Sequence, residues 1–123
     1  MPTAAELALS LDRLAVSFGE TPGSSSGTDF DNVPSVTRAA IATRFPDFGL
    51  YAISAPLDLG GDGMTGDAID DLLDLTNDLR QALGIATQVS EVAAIGHLYL
   101  LAFHWMRHLR ELSLYLHATR FDQ

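Results

Sequence analysis

Cysteine is absent from the 123 residues, and so is lysine. Without cysteine there is no disulfide framework, no thiolate-bound zinc, no iron–sulfur cluster and no thiol nucleophile. Without lysine there is no Schiff-base chemistry and no phosphate-loop lysine. Basic charge of any kind is scarce. Seven arginines stand against 16 acids, for a net charge of −9. That balance excludes a nucleic-acid backbone or an anionic membrane surface as the expected partner. Long hydrophobic runs are missing too. The longest apolar stretch, Val92–Met106, is interrupted by Gly96, His97 and His104, and it falls short of the ~20 residues of a membrane span. The first ten residues carry Glu6 and no base, so no secretory signal is expected and a cytoplasmic location is.

What is present is a folding composition. A hydrophobic fraction of 47% with 19% charged residues fits one domain over residues 1–123, large enough to need no metal or disulfide for stability. Thr3 and Glu6 form a capping box that opens a helix to about Phe18, with Leu7, Leu11, Leu14 and Phe18 on one stripe. Residues 19–35, GETPGSSSGTDFDNVPS, read as a mobile loop whose second half Phe30 and Val33 could pin. A short second helix fits Val36–Phe45, with Ser35 as N-cap and Pro46 as its stop. Residues 50–59 read as an extended segment, since Pro56 interrupts them and no second strand pattern offers a partner.

Asp67 caps a third helix ending near Leu83, with Gly84 as its stop. Its inward arc is expected to hold Ile69, Leu72, Leu73, Thr76, Leu79 and Leu83. Asp67, Asp70, Asp71, Asp74 and Asp78 are expected to face solvent. A long fourth helix fits residues 90–119. Its main apolar arc runs from Leu98 through Trp105, Leu109 and Leu112 to Leu116, and Leu100, Phe103 and Leu114 form a second patch.

Two motifs carry less than their spelling suggests. Gly61–Gly66 matches G-x-G-x-x-G, but Asp62 and Asp67 put negative charge where phosphates would sit, and no βαβ unit surrounds it. Asp58–Ile69 places Asp58, Asp62 and Gly63 as an EF-hand loop would, yet has Gly60 at position 3 and Ile69 at position 12.

The chemistry-bearing constellation lies on the fourth helix. His97, His104, His108, Glu111 and Tyr115 fall near one line. His104 and His108, one turn apart, can face one metal ion or one substrate. His97 is too far along the axis to join them. Glu111 is one turn from His108 and is the third metal-ligand candidate beside His104 and His108. Other third ligands considered are Asp12, Glu20 or a group from a second subunit. The competing expectation is that both histidines are hydrogen-bonded core residues with no bound cofactor. Ser90 and Ser113 lie off the histidine line, which leaves nucleophilic catalysis without support.

Three stretches resemble an uncharacterised bacterial helical domain family, one of the domains of unknown function. DDLLDLTNDLRQAL, residues 70–83, is similar to that family's D-L-x-D-I-Y-x-D-L-x-x-G-L helix. FHWMRHL, residues 103–109, is similar to its terminal His-Trp-x-x-His helix. YAISAPLD, residues 51–58, is similar to its tyrosine-rich extended segment. Thr76 and Ala82 stand where the family has tyrosine and glycine. The resemblance implies that His104, Trp105 and His108 belong to a shared fold, and it implies no activity.

The expectation is therefore an all-α domain: a three- or four-helix bundle with a long central C-terminal helix and one extended crossing segment. The leading functional expectation is a non-enzymatic interaction module, paired as a homodimer through Leu100, Phe103 and Leu114 with Leu9 and Val16, or joined to another protein. The alternative is a bundle binding a divalent transition metal or a small ligand through His104 and His108, with hydrolase chemistry in reach.

Overall fold

Thr3 and Glu6 close the capping box that their spacing predicts. The Thr3 hydroxyl accepts from the Glu6 N–H and the Glu6 carboxylate accepts from the Thr3 N–H, each at 3.1 Å. The structure, a computed structural model, describes residues 3–122. Helix α1 (Ala4–Glu20) buries Ala8 and Leu11, with Leu7, Leu14 and Phe18 packed partly buried beside them. Helix α2 (Arg38–Arg44) starts later than expected. Thr37, not Ser35, is its N-cap and accepts from the Ala40 N–H. The backbone of Val36 is engaged elsewhere, by the side chain of Asn77 at 2.8 Å.

Strand β1 (Leu50–Ile53) pairs antiparallel with β2 (Met64–Asp67), Leu50 opposite Asp67 and Ile53 opposite Met64. The chain is thus mostly helical with a small two-stranded sheet. The all-α expectation holds in outline, and the expectation of an unpaired extended segment over residues 50–59 is corrected. β2 is Met-Thr-Gly-Asp, which shows no alternation of apolar residues. Its pairing is fixed by packing: the Tyr51 ring covers Gly66, where a Cβ would overlap it.

Helix α3 (Ala68–Gln88) is capped by Asp67, whose carboxylate accepts from the Ile69 and Asp70 N–H groups. It does not stop at Gly84. No described glycine has the positive φ of a helix-ending residue, and Ile85 beyond it is fully buried, so packing carries the helix one turn further. The long C-terminal helix is in fact two, α4 (Glu91–Leu100) and α5 (Ala102–Phe121), separated at Leu101. The Trp105 indole N–H donates to the Leu98 carbonyl at 2.7 Å. A side-chain donor on a carbonyl that would otherwise receive the Ala102 N–H opens the helical ladder and bends it.

α3 packs along both α4 and α5, α1 lies on α5, and α2 lies on α3. Trp105, Leu75, Ile85 and Leu112 are the large side chains most completely buried among them. The segment between α1 and α2 has no regular structure, but it is held. Gln88, Gln81 and Asn77 of α3 hydrogen-bond the backbones of Asp31, Val33 and Val36. Phe30 meets His97 edge-on, with centroids 5.5 Å apart. No helix among the described residues is long and apolar enough to cross a membrane.

Candidate functional site

The seam between α3 and α5 carries four ionisable side chains paired two by two. His108 Nδ1 donates to Asp71 Oδ1 at 2.7 Å, and His104 Nδ1 donates to Asp78 Oδ2 at 2.6 Å. The helices run antiparallel, so the later aspartate meets the earlier histidine. His104 and His108 rings stand edge to face, centroids 4.7 Å apart, as the one-turn spacing requires.

The expectation that the aspartates face solvent holds for Asp70 and is overturned for Asp71 and Asp78. Asp71 is buried, 3% exposed. The buried residues of α3 are Ala68, Ile69, Asp71, Leu72, Leu75, Ala82 and Ile85; Ile69 and Leu72 lie inward as expected, whereas Leu83, also expected inward, is exposed. The true arc is rotated from the one read by maximising leucine, and it takes Asp71 and Asp78 into the seam. The signal was present: Asp71, Leu75, Asp78, Ala82 and Ile85 follow a heptad-like spacing. Treating aspartate as a marker of the solvent face hid it.

Asp74 completes the arrangement. Its Oδ2 lies 3.3 Å from His108 Nε2. One donor atom each from Asp74, His104 and His108 fall within 4.8 Å of one another, and so do donor atoms of Asp71, His108 and Glu111. The third ligand expected from Asp12, Glu20 or Glu111 thus has a better placed rival in Asp74. Asp12 is engaged elsewhere, by Ser113 at 3.2 Å and His117 at 3.3 Å.

Each histidine has its Nδ1 fixed by a separate carboxylate. That fixes ring orientation, and it is the support that metal-binding imidazoles characteristically receive. Ligands about 2.1 Å from a tetrahedral ion stand about 3.4 Å apart, close to the 3.3 Å between His108 Nε2 and Asp74 Oδ2. Asp71 is less free to bind an ion, because it also accepts from the Tyr51 hydroxyl.

The electrostatics follow from these contacts. The hydrogen bond to Asp71 is the largest influence on His108 and holds its pKa above the ordinary value; burial opposes it, and the Asp71 and Asp74 charges add to it. The two carboxylates near its ring favour the protonated form of His108, and a metal ion at Nε2 would take the place of the proton there. Tyr51 is pushed well above the usual phenol range, first by burial and then by Asp71, so it remains a donor. Asp74, His108, Glu111 and Arg107 line a groove of about 320 Å³, bordered by Met64, Thr65 and Gly66 of β2.

The remaining members of the histidine line are dispersed. Tyr115 accepts from the Gly49 N–H at 3.0 Å and supports the start of β1. His97 lies against Phe30, and its Nε2 is buried without a hydrogen-bond partner. The glycine-rich Gly61–Gly66 stretch, which resembled a phosphate loop, leads into and forms much of β2. Comparison of the chain with protein-family models, with curated proteins and with solved structures finds no match.

Proposed function

We propose that this domain binds a divalent transition-metal ion through Asp74, His104 and His108. The observation that carries the reading is the support beneath the pair. Each imidazole is oriented by its own aspartate on the neighbouring helix, and a further carboxylate stands at the free nitrogen of His108. Two imidazoles and one carboxylate suit Zn²⁺, Fe²⁺ or Ni²⁺ better than Mg²⁺ or Ca²⁺, which prefer all-oxygen sites. Three protein ligands leave coordination positions free for water, and the groove beside Asp74 and His108 gives a small ligand room. Hydrolysis by metal-activated water is the activity class that such a site suits. We read the helices as a bundle with the bent α4–α5 pair at its centre, on the pattern of bundles that build metal sites from facing helices.

The test is metal analysis and thermal unfolding of untagged protein. One equivalent of Zn²⁺ is expected to raise Tm by several degrees, and His104→Ala, His108→Ala or Asp74→Ala should each abolish the gain. An unchanged wild-type Tm, or a gain that survives all three substitutions, would sink the reading.

A second reading, an interaction module that pairs two copies, is favoured by a different surface. Leu9 and Val16 of α1 and Phe103 and Leu114 of α5 are exposed, Phe103 at 76%. A groove of about 540 Å³ between the two helices is floored by Ala15, Met106 and Leu109. Apolar residues gathered this way mark association surfaces. Light scattering should show a dimer that Phe103→Glu converts to monomer; a wild-type monomer at high concentration removes this reading and leaves the metal site untouched.

A further inference from the structure

We propose that the α3–α4 face is a groove for an extended peptide backbone, occupied here by the chain's own residues 22–36, and that an extended peptide of the same pattern can take their place. The recognition is of main chain. Gln81 accepts from the Val33 N–H at 3.0 Å and donates to the Val33 carbonyl at 2.7 Å. Gln88 does the same for Asp31, at 2.8 and 2.9 Å, and Asn77 for Val36, at 2.8 and 3.3 Å. Arg80 adds two bonds to the Pro34 carbonyl, at 3.1 and 3.3 Å. A primary amide offers one acceptor and two donors, so it can satisfy both backbone groups of a residue whatever its side chain. Residues 77, 81 and 88 share one helix face, and the segment runs antiparallel to them.

The floor of this face is shaped for close approach. A Cβ at Gly84 would overlap the Val33 side chain, and one at Gly96 would overlap Ser26. The Ser26 N–H donates to the Gly96 carbonyl at 3.1 Å. Phe30 rests edge-on against His97, whose Nε2 has no polar partner beneath it. Pro34 holds Val33 in extended backbone. The pattern recognised is an aromatic residue, two residues of any kind, a β-branched residue and proline.

Apart from Val36, which packs against the core, the segment lies outside it. None of residues 22–36 is fully buried; Phe30, Val33 and Val36 are half-buried. Gln88 and Arg80 hold it through exposed hydrogen bonds and Asn77 and Gln81 through half-buried ones, and a segment with no fully buried residue belongs to the low-stability end of a structure. Its covalent tether supplies the high effective concentration that keeps it in place.

The experiment uses the full chain and a fluorescein-labelled peptide spanning residues 26–37. Val33→Asp puts a charge over Gly84 and should release the internal segment. The peptide is expected to bind this chain roughly ten-fold more tightly than wild type, since the tethered competitor is weakened. Adding Asn77→Ala and Gln81→Ala should remove the gain. A folded Val33→Asp chain that fails to bind, or binding indifferent to the two amides, overturns the proposal. Should Val33→Asp fail to fold, amide hydrogen exchange on wild type decides. The Asp31, Val33 and Val36 N–H groups are expected to exchange by local opening, well ahead of Ile85 and Leu112; exchange at the core rate overturns it.

Discussion

Asp71 and His108, 37 residues apart in sequence, are joined at 2.7 Å across the α3–α5 seam, and both are buried. The same carboxylate receives the Tyr51 hydroxyl on its other oxygen. One aspartate thus ties the sheet, α3 and α5 together.

Removing that carboxylate should be costly. Asp71→Ala leaves the buried His108 Nδ1 without its partner, and breaking one side of a buried pair costs about 3–5 kcal/mol. Asp70 is the control. Its partner is the half-exposed Arg38, and exposed pairs contribute about 0–1 kcal/mol. Urea unfolding of the two variants should separate them by at least about 2 kcal/mol; equal midpoints would show that the buried pair is not holding the seam.

The pH dependence has a defined sign. His108 has a raised pKa in the folded protein, so its contribution to stability is full below the unfolded value of about 6.5 and is lost as pH rises through the folded value. Tyr51, raised too, keeps its contribution in full until the unfolded phenol begins to ionise near pH 10, so it adds no pH dependence below that. Between pH 6 and 9, wild type should therefore lose stability relative to His108→Gln as pH increases. A difference in Tm that stays constant or widens in favour of wild type would contradict the assignment.

Trp105→Phe should keep most of the apolar packing and lose the N–H that the Leu98 carbonyl receives. The carbonyl is left without its side-chain donor at the helix break, and the expected cost is about 1–3 kcal/mol. Chemical unfolding followed by far-ultraviolet dichroism measures it. A neutral outcome would mean that Leu101 sets the bend without the indole.

Gly66→Ala should act at a distance from its own position. The new methyl meets the Tyr51 ring and must push the hydroxyl from Asp71. The expected loss is about 1–3 kcal/mol. In a double-mutant cycle with Tyr51→Phe the double variant should lose less than the sum of the two single losses. Full additivity would place the effect in the sheet alone.

The α1 boundary was legible because Thr3 and Glu6 satisfy each other locally. The His104–His108 pair was legible because helical spacing is local too. Asp74 as the third ligand candidate was not, since its place depends on how α3 is rotated against α5, and Asp71 and Asp78 read as solvent markers until their partners are seen. The break at Leu101 has no glycine or proline beside it, only an indole reaching back from Trp105. Strand β2 has no pattern of its own and exists because Tyr51 covers Gly66. Residues 22–36 look like a linker by composition; the amides that hold them sit more than forty positions away, on α3.

The two aspartate–histidine pairs also fix how α3 and α5 align lengthwise. Leucine against leucine tolerates a shift of one helical turn with little change in buried area. A shift of one turn here would set Leu75 opposite one imidazole, strand Asp71 or Asp78 in an apolar setting, and leave buried charge unmatched, at several kcal/mol per group. The seam accordingly works as a keyed joint, admitting a single register between two helices whose other contacts would accept more than one.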